Sequence, residues 1–442
     1  MTRTLLAALT ALALLPTAAV AAGPQDIKVQ STKQISPRLV EYTLTTPALA
    51  APTIVRVLLP ADYAAQPAKR FPVLYLLNGC CDYDVNGAQA WTTHGEAEAA
   101  TKDLDVIVVM PDGGKGGFYT DWYNNGAGGP PEYETYHIGE LVPWIDQTFR
   151  TRAARGGRAI AGLSMGGFGA MSYAARHPDM FVAAAAFSGA VDITDPQFGN
   201  EDALNAQDGG FPTDVFGDPA TQKIRRRAHN PVDLAANLQG LALTLRTGNG
   251  LPGGQFGGGP DPVEYAVHQQ MTTLNRVFNG LEYPHTWLDY GPGAHAWGYW
   301  ADDLKKTLPQ IIDAFAQPPA VPALITYTSV APTWRQYGWR VALKRPVLEF
   351  STLSSAGRGG FVLRGSGKAA VTTPGVYRRG ARATVAITDQ AGSRTVTAIV
   401  GPHHRLIVRV DLGPADTMQQ DTPGATTTVR TATVKITAPR RR

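Results

Sequence analysis

Apolar residues come first in short uninterrupted runs and later in alternation, and the change of pattern divides the chain. Arg38 to Thr46 and Thr53 to Leu59 alternate or run β-branched, which predicts an antiparallel hairpin. Continuous apolar runs follow at Val73 to Leu77 and Val106 to Met110. Shorter ones lie at Arg158 to Ala161, Ala183 to Phe187, Leu241 to Leu245 and Thr286 to Tyr290. Short runs bounded by Gly, Pro or Asp mark parallel strands buried on both faces. Helical stretches separate them at Tyr136 to Phe149, Phe168 to Arg176, Val263 to Phe278 and Ala301 to Phe315. Strands alternating with helices predict a three-layer α/β sandwich.

The texture changes after Phe315. Residues 317–324 begin with the Pro-rich run Gln317 to Pro322 and predict a stiff, extended linker. Residues 325–442 have almost no helical period. Val/Thr/Ile-rich runs at Gly360 to Leu363, Ala383 to Ile387, Thr395 to Val400 and Leu406 to Val410 predict an all-β, sandwich-like domain. The expected organisation is an exported leader over 1–22, a catalytic domain over 23–316, the linker, and the β domain.

The leader follows from its layout. Arg3 precedes an 11-residue uncharged apolar run from Leu5 to Leu15, and small residues at Ala19 and Ala21 supply a cleavage pattern. The run is too short to span a bilayer, so no transmembrane segment is expected and the mature protein should be secreted, with cell-envelope association open.

Composition adds a core and a charge division. Hydrophobic residues make up 44% and charged residues 17%, which excludes wholesale disorder. The net charge of +4 hides an asymmetry: from Ala331 onward there are 18 Lys/Arg against 5 Asp/Glu, and 15 of those cations are Arg. The preceding 330 residues are acidic in balance. A basic exported domain predicts an anionic cell-envelope polymer as partner rather than nucleic acid. A passive, solubilising basic domain is the competing expectation.

Two cysteines, Cys80 and Cys81, stand side by side. A disulfide between them is chemically open in an exported chain. Adjacent Cα atoms sit about 3.8 Å apart, below the usual disulfide range of about 4.4–6.8 Å, so the ring would be strained. No metal-ligand pattern includes them, and His403-His404 reads as a solvated turn. No metal and no cofactor are expected.

Ser164 carries the strongest chemical signal. It is the centre of Gly162-Leu163-Ser164-Met165-Gly166, a G-x-S-x-G pattern between a strand-like run and a small-residue helix. Such a turn exposes a nucleophilic hydroxyl at a helix N-terminus. The base should be a later loop histidine, and His295 sits between the last predicted strand and helix. His268 and His285 fall within elements and read as structural. The acid should follow Leu241 to Leu245, where Asp261 and Glu264 both qualify. Glu264 is favoured, although negative charge at a helix start needs no catalytic reason. Asp289 is too close in sequence to His295. The N–H groups of Met165 and Cys80 are the expected oxyanion donors, and Asn78 and Trp297 the candidate substrate contacts.

Six ordered segments extend the pattern: Leu76 to Gly79, Gly117 to Tyr123, Glu134 through Trp144, Gly162 to Gly167, Gly248 to Gly250, and His295 to Trp300. Over about Ile27 to Phe315 the chain resembles the secreted mycolyltransferases of the antigen eighty-five complex and the related esterase D-like family. The resemblance implies an α/β-hydrolase fold, Ser164 as nucleophile, His295 as base, Glu264 as acid, and oxyanion donors at Cys80 and Met165. It also shows a departure. Those mycolyltransferases carry Asp and Arg where Asn78 and Cys81 stand here, so their charged contacts to trehalose are missing.

Hydrolysis of a small-molecule or lipid ester is therefore the first functional expectation. Acyl transfer to a sugar hydroxyl is the second. An envelope-binding protein with an inactive hydrolase core is the third. The β domain is expected to take no direct part in catalysis, so a chain ended near Pro319 should keep its turnover.

Overall fold

The computed structural model describes residues 26–80, 84–195 and 213–441. The leader and Cys81 lie outside them. A nine-stranded sheet runs in the order β1-β2-β3-β5-β4-β6-β7-β8-β9. Its strands are β1 (Lys28–Gln34), β2 (Leu39–Thr45), β3 (Thr53–Leu58), β4 (Val73–Leu77), β5 (Ile107–Pro111), β6 (Arg158–Leu163), β7 (Ala183–Phe187), β8 (Ala242–Thr247) and β9 (His285–Asp289). The expected hairpin is β2–β3, antiparallel with Leu39 opposite Leu58. From β5 to β9 every neighbouring pair is parallel.

The continuous apolar runs have a direct cause. In β4, Val73, Tyr75 and Leu77 enter one core, while Leu74 and Leu76 enter the core on the opposite face. Helices cover both faces, so no position along the strand meets water. Those used below are α1 (Gly87–Thr93), α2 (Val142–Thr148), α3 (Met165–Arg176), α4 (Pro262–Gly280) and α5 (Trp297–Ala316). The expected helix at Tyr136 to Phe149 is instead a wide π-type segment, Thr135–Leu141, followed by α2. β1 was not predicted: its sequence KVQSTKQ is exposed throughout and has no apolar face. Pairing with β2, not hydrophobicity, makes it a strand.

The last ten strands form two antiparallel sheets, β10-β13-β14-β19-β16-β17 and β11-β12-β15-β18. Their ranges are β10 (Ile325–Ser329), β11 (Thr333–Gln336), β12 (Trp339–Lys344), β13 (Ser351–Gly357), β14 (Gly360–Gly365), β15 (Lys368–Thr372), β16 (Arg382–Asp389), β17 (Gly392–Ile399), β18 (Ile407–Asp411) and β19 (Arg430–Thr437). Inward residues of both sheets, including Trp334, Val341, Leu363 and Val434, share one core. This is sandwich packing.

The connecting segment is not a free tether. The Pro319 carbonyl accepts a 2.7 Å bond from Arg155, whose other nitrogen holds the Gly240 carbonyl at 2.6 Å. The β part then grips the end of α3: Tyr327 and Gln336 both donate to the Arg176 carbonyl at 2.8 Å. Tyr337 bonds Asp179 at 2.9 Å and Pro178 at 2.8 Å, and Asn237 exchanges two bonds with the Thr328 backbone. Ile224, Ala228 and Val330 close a small apolar cluster across the junction.

Candidate active site

The strand-to-helix turn between β6 and α3 holds Ser164 at φ 52° and ψ −121°. A non-glycine residue there is strained, and the surrounding packing must hold it. The two glycines of the pattern are demanded by close approach. A Cβ on Gly162 would lie 2.2 Å from the Gly166 carbonyl oxygen, and one on Gly166 would lie 2.5 Å from the carbonyl oxygens of Leu77 and Asn78. The Ser164 N–H donates to Phe187 at 2.9 Å, and its carbonyl accepts from Ala190 at 3.2 Å. Chain from the end of β7 thus clamps the turn.

His295 reaches Ser164 from the loop before α5. Its Nε2 stands 2.8 Å from Ser164 Oγ, and its Nδ1 stands 2.8 Å from Glu264 Oε2. With Nδ1–H donating to the carboxylate, Nε2 is the nitrogen left to accept the serine proton. Glu264 is fully buried on the first turn of α4. Its Oε1 accepts from Ser188 Oγ at 2.8 Å, Thr247 Oγ1 at 3.0 Å and the Gly248 N–H at 2.7 Å. Four donors therefore converge on one carboxylate and hold its plane toward His295.

Asp261, the competing acid, is placed differently. Its Oδ1 caps α4 by accepting from Val263 and Glu264 N–H at 3.0 Å, and its Oδ2 accepts the His295 backbone N–H at 2.8 Å. One side chain thereby ties the helix of Glu264 to the loop of His295. Asp289 pairs with His268 at 2.8 Å, and His285 bonds Asn275 at 2.7 Å. Neither histidine is brought to Ser164.

Met165 opens α3 directly after Ser164, and the loop after β4 lies against the same turn. A Cβ on Gly79 would stand 3.3 Å from that of Ser164. The next residue, Cys80, is disulfide-bonded, and Cys81 is the chain's one other cysteine. Asn78 is buried with its amide already engaged: Nδ2 donates to Gly79, and Oδ1 accepts from Gly113 N–H and Tyr119 OH. It lines a cavity of about 380 Å³ beside the loop, together with Asn86, Asp112, Lys115 and Tyr133.

Trp297 is half-buried and packs edge-on against Trp91 and Trp300. The ring that meets His295 is that of Trp300, edge-on at 4.8 Å. Sequence reasoning missed Trp300, Ser188 and Thr247. Only Trp300 carried a signal, its place within the His295–Trp300 segment. Exposed apolar side chains rim the same region: Leu251 and Phe256 in the Gly-rich loop, and Val263 and Tyr265 on either side of Glu264. Beside them, Asp303 faces Arg246 at 2.8 Å, and burial raises its carboxyl to about 7 despite that partner.

A family model described as "Putative esterase" matches residues 46–311. "Esterase Rv1288" of Mycobacterium tuberculosis is 34% identical over 249 residues, 54% of this chain and 50% of that protein. The chain thus spans about half the length of that relative. "Diacylglycerol acyltransferase/mycolyltransferase Ag85B" of Mycobacterium leprae is 30% identical over 254 residues, 54% of this chain and 75% of that protein. Among solved structures, MPT51 (FbpC1) of Mycobacterium tuberculosis aligns over 62% of this chain and 97% of its own, with TM-score 0.51 and 23% identity. FphF of Staphylococcus aureus, titled a fluorophosphonate-binding serine hydrolase, aligns over 62% and 98% with TM-score 0.50 and 19% identity. These structures share the α/β-hydrolase fold.

Proposed function

From a chain that belongs to the "Putative esterase" family, we propose an exported serine esterase that cleaves carboxylic esters through an acyl-enzyme. The observation that carries the reading is the continuous hydrogen-bonded line Ser164–His295–Glu264 at a strained strand-to-helix turn. Ser164 Oγ attacks the ester carbonyl as His295 Nε2 takes its proton, and Glu264 stabilises the imidazolium. The tetrahedral oxygen faces the N–H groups of Met165 and Cys80 at the positive end of α3. Collapse expels the alcohol, which takes the proton from Nε2. Water then repeats the sequence and releases the acid. The apolar rim of Leu251, Phe256, Val263 and Tyr265 supports an ester with an apolar acyl or alcohol group.

In this reading residues 1–22 direct export, 23–316 form the hydrolase, 317–324 connect, and 325–442 form the β part. The excess of cations after Ala331 supports an anionic cell-envelope polymer as the partner of that part. Ser164→Ala tests the assignment: the protein should fold, lose ester turnover and lose covalent labelling by a fluorophosphonate. Labelling retained in that variant would refute it.

Acyl transfer is the second reading, favoured by the likeness to a protein named as an acyltransferase. Water should win here, because transfer needs contacts that hold an acceptor hydroxyl against it, and the Asn78 amide is already engaged by Gly79 and Tyr119. Supplying trehalose or glucose during turnover should leave the acyl product as free acid. Efficient acyl-sugar formation would establish transfer instead.

A further inference from the structure

We propose that the outer face of the sheet β11-β12-β15-β18 is a binding site for a linear polyol phosphate polymer. This deepens the reading of the β part as a polymer anchor and rests on it. It does not depend on the esterase assignment.

Alternation and register together define the face. Trp334, Trp339, Val341, Val371 and Val408 point into the core, so Arg335, Arg340, Lys344, Lys368 and Arg409 point out. Cross-strand pairing arranges the outward residues in three rows. The first is Arg335–Arg340–Thr372–Ile407, the second Thr333–Ala342–Ala370–Arg409, and the third Lys344–Lys368–Asp411. Each row carries at least one cation, and small residues floor the middle. Among the described residues no ion pair or side-chain hydrogen bond holds any of these five cations. Elsewhere in the β part, Arg345 faces Glu349 and Arg394 pairs with Asp389. The one acid on the face, Asp411, stands at its edge strand and accepts the Gly413 N–H.

Five like charges on a face with a single carboxylate, at its edge strand, are unfavourable for the folded chain and favour an anionic occupant. Successive rows are about 7 Å apart along the strands. A chain lying along them meets positive charge once per row, which suits a polymer with one phosphodiester per short polyol repeat. Arg forks match phosphate oxygens. The outward positions of these strands include no aromatic ring, so nothing on the face stacks on nucleobases, the contact single-stranded nucleic acid uses. A charged face with one exposed apolar side chain, Ile407, is also a poor wedge for a lipid bilayer.

The test is binding of the full chain to poly(glycerol phosphate), measured against salt. Intact protein should bind, with affinity falling steeply as salt rises. Arg335→Ser/Arg340→Ser/Arg409→Ser should weaken binding by roughly tenfold or more and flatten the salt slope. Lys344→Gln/Lys368→Gln should act in the same direction, which covers failure of the triple variant to fold. An equal charge reduction off the face, Arg378→Ser/Arg379→Ser/Arg382→Ser, should leave most of the binding in place. Equal losses from face and control variants would overturn the site while leaving the anchor reading standing. No binding by the intact protein would overturn both. Tighter binding to single-stranded DNA of equal phosphate count, or to anionic phospholipid vesicles, would overturn the polymer assignment.

Discussion

The two parts of this molecule treat charge in opposite ways. In the hydrolase part, charges that matter are buried or half-buried and answered: Arg246 by Asp303, Arg176 by Glu134, Arg158 by Asp146, and Glu264 by four donors. In the β part, five cations stand in register on an open sheet face whose one carboxylate, Asp411, lies on the edge strand opposite Lys368. Burial turns a charge into a fixed direction, because a desolvated group must keep its partners or lose several kcal/mol. Exposure keeps a charge available and makes its contacts dependent on salt. One part holds three side chains in line, and the other leaves its cations open to solvent.

Glu264→Gln should break the first half of that contrast most severely. The amide presents one donor where an acceptor is required, so kcat/KM should fall by about a thousandfold or more with the fold intact. Asp261→Asn should cost far less, although it weakens both the cap of α4 and the hold on the His295 loop. Steady-state kinetics on a soluble ester separate the two, and the reverse ranking would move the acid to Asp261.

Ending the chain near Pro319 tests whether the parts are as separate as their charges suggest. The expectation from the sequence was unchanged turnover. The junction adds a cost in stability to that expectation, because removal uncovers Ile224 and Ala228 and strips two donors from the Arg176 carbonyl at the far end of α3. Thermal unfolding should drop by roughly 10 °C, several kcal/mol at the slope usual for this size. Turnover measured at a temperature where the shortened chain remains folded should be close to intact.

Acid should expose the cost of burying neutral groups in the hydrolase part. Burial lowers both His137 and His229 to about 3, with the Arg176 charge adding to the effect at His229 and Glu134 opposing it. Each histidine is neutral in the fold and ordinary when unfolded. The stability tied to that neutrality is therefore present above about pH 6.5 and lost as pH falls toward 3. Asp303, raised to about 7 by burial, acts with the opposite sign: its contribution is complete below its unfolded pKa and disappears as pH rises through 7. His229→Gln should narrow the difference between unfolding temperatures at pH 7 and pH 5. An unchanged difference would remove His229 from the acid response.

The smallest effect sharpens the description of the carboxylate. Ser188→Ala removes one of three donors to Glu264 Oε1 and should slow turnover by roughly tenfold, the scale of one buried hydrogen bond. KM should change little, and Ser188→Thr should restore part of the rate if its hydroxyl finds the same acceptor.

Much of the fold was legible because its causes are local. Runs buried on two faces look continuous whatever packs on them, so β4 to β8 could be placed within a residue or two; β9 was placed as closely although it is a half-buried edge strand. The G-x-S-x-G turn carries its own stereochemical demand, and the alternation within β16 and β18 already separates an apolar face from a polar one. Other features had no local cause. β1 is a strand only because β2 offers it partners, and the ring beside His295 is Trp300 because α5 turns it there. Spacing could not choose between Asp261 and Glu264, since both begin the same helix. Only the fold brings Ser188, from the end of β7, and Thr247, from β8, to the Glu264 carboxylate. The basic face likewise depends on register, because pairing across four strands decides which cations become neighbours. Residue type and period set what each segment can be. Contacts between distant segments decide which groups share a site, and those contacts exist only once the sheets have formed.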